Sequence, residues 1–497
     1  MRSLLPRPDP RTTVKLGVTK RRFLHQDIPF LSQTFVLNPA EYNRHFHYLG
    51  VSGSGKSTAI ATVIVQHILQ GRGVSLIDPH GDLAVLVMKL LADRGYFQRD
   101  EDYDRIRYFD FGHPDRVPPM NVLNQPDEDN DNVASALAAV CLRIWPNLDT
   151  VGVTFLNIIK NAAYALVEAG LPLPAMQPFL EEPAFREMVL GHATDPHIGR
   201  FFTNRFNRWR DQTEKIESTQ NRLDLFTFSP RMRAMFGERE NIVPYGQIMQ
   251  EGKSAIYNLS ALDEEKNNFV AAFLFYGYER AAHCRAAIEE DDRVHHYLFA
   301  DEFQNFTTKN GKSFGDMLSG VRKYRLNLSL ANQNYGQIDE RIKQALGNAE
   351  MIAFKLNRDD AVWMAPRLNP FDEHKVKHRI EDKTLQDRSH PLFASVQEQF
   401  EKTARELERL GRGHCYVQLG SRVRRIVTTP FPKPTISREA FSQITERYAQ
   451  QYLKPFDREA ENTRKPTTDS VPVPVFEQPR FKRRTRKSTN HPARTHD

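Results

Sequence analysis

Short apolar runs alternate with amphipathic stretches over the first 125 residues. Residues 46–50 (FHYLG) form a buried-strand run that leads into a glycine-rich segment. Residues 56–70 (KSTAIATVIVQHILQ) repeat apolar positions at three and four, which predicts a helix that Gly71 and Gly73 end. A second strand is predicted at 74–78 (VSLID), a helix after the turn at 79–82, and a third strand at 106–111 (IRYFDF). Strand, helix, strand, helix, strand in close succession predicts a parallel sheet with right-handed crossovers.

The pattern changes near residue 126. From there to 244 the periodicities are helical, as in 133–145 within NVASALAAVCLRIW and in 153–170, and no convincing strand interrupts them. Strands resume at 254–260, 295–302, 326–333 and 351–356, with helices between them. A possible edge hairpin turns at residues 420–421. The expected fold class is therefore α/β with a mostly parallel central sheet, interrupted by an inserted all-helical domain. The expected organisation is a basic N-terminal arm (1–40), a first core part (41–125), the inserted all-α domain (126–244), a second core part ending in the edge hairpin (245–453), and a disordered basic tail (454–497).

Composition refines this outline. The chain has 497 residues, 40% hydrophobic and 26% charged, as an ordinary globular protein has. No run approaches the apolar length needed to span a bilayer, and the N-terminus lacks the apolar core of a secretory signal. Three widely spaced cysteines suit a reducing compartment, so the expected location is the cytoplasm, at most peripheral to the inner face of the membrane. The formal net charge of +7 is concentrated at the ends: residues 1–22 and 478–497 each carry seven Lys/Arg against one Asp. The body between them is net acidic. Basic arms suit contact with nucleic acid or anionic lipid, and equally suit solubilising tails.

The chemistry centres on residues 50–58, Gly50, Val51, Ser52, Gly53, Ser54, Gly55, Lys56, Ser57 and Thr58, which fit G-x-x-x-x-G-K-[ST]. In this pattern backbone N–H groups cradle phosphate oxygens, Lys56 reaches the outer phosphates and the Ser57 hydroxyl binds magnesium. Asp301 and Glu302 end an apolar strand, where the first is placed to hold magnesium and the second to orient or deprotonate a water. A tandem acidic pair favours hydrolysis over transfer to a small acceptor. Asn332 and Gln333 end the next strand, where an amide reads the nucleotide's outermost phosphate or the water. Arg322, Lys323 and Arg325 lie just upstream, as arginines acting on a neighbouring subunit's nucleotide or as a solvated basic face. His80 has no second ligand nearby, Asp82 suits a helix cap, and Cys284 and Trp145 read as core.

The chain resembles the HerA/FtsK superfamily of P-loop ATPases, and within it the coupling proteins of conjugation and type IV secretion (the TraG/TraD group). The stretches HYLGVSGSGKST, GRGVSLIDPHGDL, IMQEGKSAIYNLS, LFADEFQNF and GVRKYRLNLSLANQNYGQI carry the resemblance. It implies a RecA-like P-loop core, hydrolysis of ATP with Mg2+, a ring-shaped homo-hexamer and movement of DNA through sequence-nonspecific phosphate contacts. It also implies that a helical domain fills the 245 residues separating Lys56 from Asp301. Carried over, Lys56 and Ser57 bind phosphate and metal, Asp301 and Glu302 serve metal and water, Arg322 acts on a neighbour and Gln333 is the sensor. Expected partners extend to a relaxase or secreted protein and a separate membrane-channel protein. Alternative readings are a substrate receptor that moves little DNA and a cytosolic HerA-like DNA-processing translocase. Membrane-bound members begin with transmembrane helices, and only about forty residues precede the phosphate loop here.

Overall fold

The computed structural model describes residues 13–23, 26–125, 128–145, 152–208, 217, 219–224, 229–307, 311–369, 374, 376–381 and 389–459. The strands in chain order are β1 (Val14–Phe23), β2 (Gln26–Leu37), β3 (Phe46–Leu49), β4 (Gly73–Asp78), β5 (Ile106–Asp110), β6 (Arg116–Val117), β7 (Ser254–Asn258) and β8 (His296–Ala300). They continue with β9 (Leu326–Asn332), β10 (Glu350–Ala353), β11 (Val376–Glu381), β12 (Ser389–Phe393), β13 (His414–Leu419), β14 (Arg422–Thr428) and β15 (Lys454–Pro455). Eleven of them form one sheet in the order β2-β1-β14-β13-β10-β3-β9-β8-β4-β7-β5. The seven from β10 to β5 are mutually parallel. The four at the other edge are antiparallel.

Burial explains why the parallel strands read as unbroken apolar runs. Every residue of β3, β4, β7, β8, β9 and β10 is buried, because helices cover both faces. Strand β13 instead alternates buried and half-buried positions, as a strand with one wet face does. One apolar core lies under the helices Lys56–Leu69 and Asp82–Ala92. The core on the other face joins the helices Glu264–Cys284, Gly311–Lys323 and Arg358–Leu368 to the sheet.

The elements described between residues 130 and 236 are helical and share that second core. The helix Asn130–Ile144 places Arg143 2.7 Å from Glu279 on the helix Glu264–Cys284. The chain enters and leaves this block through adjacent segments: Met120 N–H donates to Met235 O, and Ile242 N–H to Pro119 O. Among the described residues no helix is long and apolar enough to cross a membrane.

Three expectations need correction. Residues 14–37 were expected as part of an aperiodic arm, yet they form the β1–β2 hairpin on the sheet edge. Register shifts between Lys15 and Gly17 and between Thr19 and Arg21 break the two-residue alternation that would have revealed it. The tail was expected to begin at 454, but Lys454 and Pro455 pair with β6; residues 460–497, the rest of the expected disordered tail, lie outside the described residues. Cys284, expected in the core, is exposed, whereas Trp145 packs against the core as expected.

Candidate nucleotide-binding site

The phosphate loop joins the buried end of β3 to the helix Lys56–Leu69. Gly53 and Gly55 adopt left-handed φ values of 74° and 99°, and Gly55 is the residue at which the helix begins. A side chain at Gly55 would put its Cβ 2.9 Å from Gly413 N, so close approach and backbone sign both demand glycine. The loop is anchored from outside: Gly413 N–H donates to Ser54 O at 2.8 Å and Val51 N–H to Lys355 O at 3.0 Å. Ser52, Gly53 and Ser57 remain open to solvent. A fourteen-residue helix beginning here leaves first-turn N–H groups and a positive dipole end available to an anion.

Lys56 is buried, and its Nζ lies 3.7 Å from both Asp301 Oδ1 and Glu302 Oε1. Among the described residues neither Lys56 Nζ nor Ser54 Oγ has a hydrogen-bond partner. A buried ammonium without hydrogen bonds is costly on its own and suits a group that phosphate oxygens would satisfy. Burial pushes the Asp301 carboxyl up to about 6; nearby Lys56 opposes this, and Glu302 and Asp78 add to it. A carboxylate so placed favours a positively charged ligand. Among the described residues no three His, Cys, Asp or Glu side chains gather as a metal cage. Magnesium usually takes one or two protein ligands plus phosphate oxygens and water, which the donor set Ser57 and Asp301 fits.

Glu302 sits at φ 47°, ψ 42°, a left-handed conformation unusual for a residue with a Cβ. Its Oε1 accepts from Gln333 Nε2 at 2.9 Å and its Oε2 from Gln304 Nε2 at 2.8 Å. The strand tips therefore bring Lys56, Asp301, Glu302 and Gln333 together. Asn332, the other amide considered, is committed elsewhere: its Oδ1 pairs with His47 Nε2 at 2.7 Å and its Nδ2 donates to Asn334 O.

Arg322 lies apart from this group. It ends the helix Gly311–Lys323, before β9, and is exposed. The seven residues of β9 separate it from Gln333 by about 20 Å at about 3.3 Å per residue. It cannot serve its own chain's phosphate loop. Arg325 is structural, with Nη1 donating to Arg293 O at 2.7 Å. Asp82 does not cap its helix. The cap is made by Asp78, whose Oδ2 accepts from Ala84 N–H at 2.8 Å, and His80 is exposed.

Sequence reasoning missed Gln304 and the turn at residues 411–413. The glycines flanking Arg412 were a readable signal for a turn, but nothing local said that the turn would rest on the phosphate loop.

The family model of the central domain of helicase HerA matches residues 32–276. Among solved structures, the unbound bacterial conjugative coupling protein TrwB (TrwBdeltaN70) aligns at a TM-score of 0.58 and 15% identity, over 80% of this chain and 88% of that one. TrwB in complex with ADP and Mg2+ aligns at 0.54 and 15% identity, over 82% and 89%. VirB4 of Thermoanaerobacter pseudethanolicus aligns at 0.51 and 12% identity, over 85% and 97%. No match is found among curated proteins. Sheet, phosphate loop and matching folds define an α/β P-loop fold with a RecA-like core. The family-model match spans just under half of the chain, and in fold the chain resembles a coupling protein of conjugation.

Proposed function

We propose that this chain is an ATP-driven motor of the coupling-protein kind, which hydrolyses ATP to move DNA in conjugative transfer or type IV secretion. The observation that carries the ATPase reading is the buried Lys56 Nζ, 3.7 Å from two carboxylates and without a hydrogen-bond partner. In this reading the loop 50–58 cradles the phosphates and Lys56 reaches the outermost of them. Ser57 and Asp301 hold Mg2+, which when bound draws charge from the phosphate oxygens. Glu302 takes a proton from the attacking water as the oxygen–phosphorus bond to the leaving ADP breaks, and Gln333 orients Glu302 through its 2.9 Å hydrogen bond. Fixed charges and backbone N–H groups supply the transition-state stabilisation.

The domain division at residues 126 and 244 belongs to this reading, with the helical block as an insertion in the motor core. So does a homo-hexameric ring: Arg322, remote from its own chain's loop, is suited to a neighbour's nucleotide. DNA contacts would be to phosphates and salt-dependent. The likeness in fold to a conjugative coupling protein and the basic residues gathered towards both ends of the sequence support DNA as the cargo. A cytoplasmic location, a relaxase or secreted-protein substrate and a membrane-channel partner complete the proposal.

The test is ATP hydrolysis by the purified chain with and without single- and double-stranded DNA, beside Lys56→Ala and Glu302→Gln. The expected outcome is stimulation by DNA, with kcat lowered by at least about a hundredfold in both variants. Hydrolysis indifferent to either DNA would transfer the reading to a substrate receptor. Hydrolysis unchanged in both variants would remove the ATPase assignment.

A further inference from the structure

Each oxygen of the Glu302 carboxylate meets a side-chain amide. The Gln333 contact belongs to a strand tip already singled out. The Gln304 contact comes from the short turn Phe303–Asn305, within the stretch LFADEFQNF but outside its acidic pair, where the sequence reading gave Gln304 no role. A carboxylate only accepts hydrogen bonds, so the Gln304 amide must turn its nitrogen toward it; the opposite orientation would set oxygen against oxygen. That orientation leaves Gln304 Oε1 buried with no partner, and the contact to Glu302 offsets the loss. Gln304 Nε2 also lies 3.4 Å from Gln337 Oε1, on the turn that follows β9.

The backbone around this contact is well fixed. Asn305 N–H donates to Glu302 O at 3.1 Å. Phe303, next to Gln304, is fully buried; its ring stacks on Phe314 and meets the His47 ring edge-on. Glu302 is held in a left-handed conformation between these anchors. Its carboxylate has lone pairs beyond the two engaged by amides, so it remains able to accept from a water.

We propose that Gln304 is a positioning residue for hydrolysis at this site. Together with Gln333 it holds the Glu302 carboxylate in the orientation from which that group takes the proton of the attacking water. Among the described residues the hydrogen bonds of the Gln304 side chain go to Glu302 and Gln337 and not to the phosphate loop or Lys56, so its contribution passes through Glu302. The inference rests on the proposed ATPase reading and adds to it a residue to which the sequence reading gave no role.

The test compares Gln304→Met, which keeps length and removes the donor, with Gln304→His, which restores an N–H at similar reach. Full-length protein is assayed for steady-state ATP hydrolysis, with thermal unfolding measured alongside. The expected result for Met is a kcat about tenfold lower, the scale of one lost charge-assisted hydrogen bond, with KM for ATP within about twofold. The His variant recovers part of kcat. A kcat within about twofold of wild type in Met, a raised KM with kcat unchanged, or a His variant no better than Met would each overturn the proposal. Should Met lower the unfolding temperature, the His variant decides alone. Glu302→Gln run in parallel separates the two levels: if it hydrolyses ATP normally, the underlying reading fails. If it is inactive while Gln304→Met matches wild type, only the role of Gln304 fails.

Discussion

The two ends of the central strands are built from opposite chemistry. At the C-terminal tips of β3 and β8, an ammonium and two carboxylates converge within 3.7 Å, and the ammonium has no hydrogen bond. At the other end the same strands begin among histidines, hydroxyls and amides, beside the Arg44–Glu350 ion pair and the buried Arg285, and these groups largely satisfy one another. His45 accepts from Leu328 N–H through Nδ1 at 2.9 Å and pairs through Nε2 with Leu318 O at 2.8 Å. His296 pairs with Ser75 Oγ at 2.8 Å, which itself contacts Tyr278. Tyr297 donates to Asn43 at 2.6 Å. Both ends bury polar atoms. At the C-terminal end an ammonium with no hydrogen bond among the described residues faces two carboxylates, which suits a charged ligand, while at the other end the buried Arg285 donates to backbone carbonyls and fixes strand positions.

Paired glycine substitutions test this contrast most sharply. Gly55→Ala forces a Cβ onto a residue at φ 99° and against Gly413 N at 2.9 Å. The expected cost is about 1–3 kcal/mol of stability, with ATP affinity lost because the cradle's backbone shifts. Gly73→Ala, at the opposite end, would bring its Cβ to 2.8 Å from Gly252 C and 2.9 Å from His296 Nδ1. It should lower stability in a comparable way and leave ATP affinity in the surviving folded protein unchanged. Thermal unfolding with and without ATP separates the outcomes. Equal loss of ATP-induced stabilisation in both would erase the distinction between the ends.

Acid should act on the histidine-lined end. Burial, the leading cause, together with nearby arginines lowers the pKa of His45 and His295 to about 4 and of His296 to about 3, the Leu318 carbonyl partly opposing this at His45. The fully buried His47 falls to about 4 for the same leading reason, eased by its bond to Asn332. The unfolded chain protonates these rings near 6.5 and the folded chain resists. The unfolded state therefore binds more protons, and stability falls as pH drops below about 6.5 and continues to fall toward 4. Each histidine contributes at most about 1.4 kcal/mol per pH unit. Unfolding temperatures measured from pH 8 to 4.5 should be level above 7 and decline below 6.5. A flat curve would mean that these rings are hydrated in the folded chain.

Legibility in the sequence followed locality. The parallel strands could be read because each is an apolar run buried on both faces, and Lys56, Asp301 and Glu302 because they terminate such runs in recognisable patterns. The β1–β2 hairpin was obscured by its own bulges. Gly413 lies 358 residues from Gly55 and meets the loop only through the β13–β14 edge, so no local spacing announces it. Gln304 looked like any polar turn residue. Its meaning comes from the left-handed backbone at Glu302, which aims a carboxylate back at its own turn.

The smallest expected effect concerns the one site residue where sequence reasoning chose the wrong neighbour. Asp82 opens the helix Asp82–Ala92 and reads as its cap, but it is exposed, and the cap contact belongs to Asp78. Asp78 ends β4 fully buried, accepting from His80 N–H at 3.1 Å and Ala84 N–H at 2.8 Å. Its carboxyl is pushed up by burial, while those backbone donors oppose the shift. Removing it leaves those N–H groups at the C-terminal end of β4 without their acceptor, so Asp78→Ala should cost about 1–3 kcal/mol. Asp82→Ala loses only an exposed charge near a helix start and should stay within about 0.5 kcal/mol of wild type. Urea denaturation of both variants measures the difference. A larger cost for Asp82 would return the cap to the exposed aspartate and separate β4 from the helix that follows it.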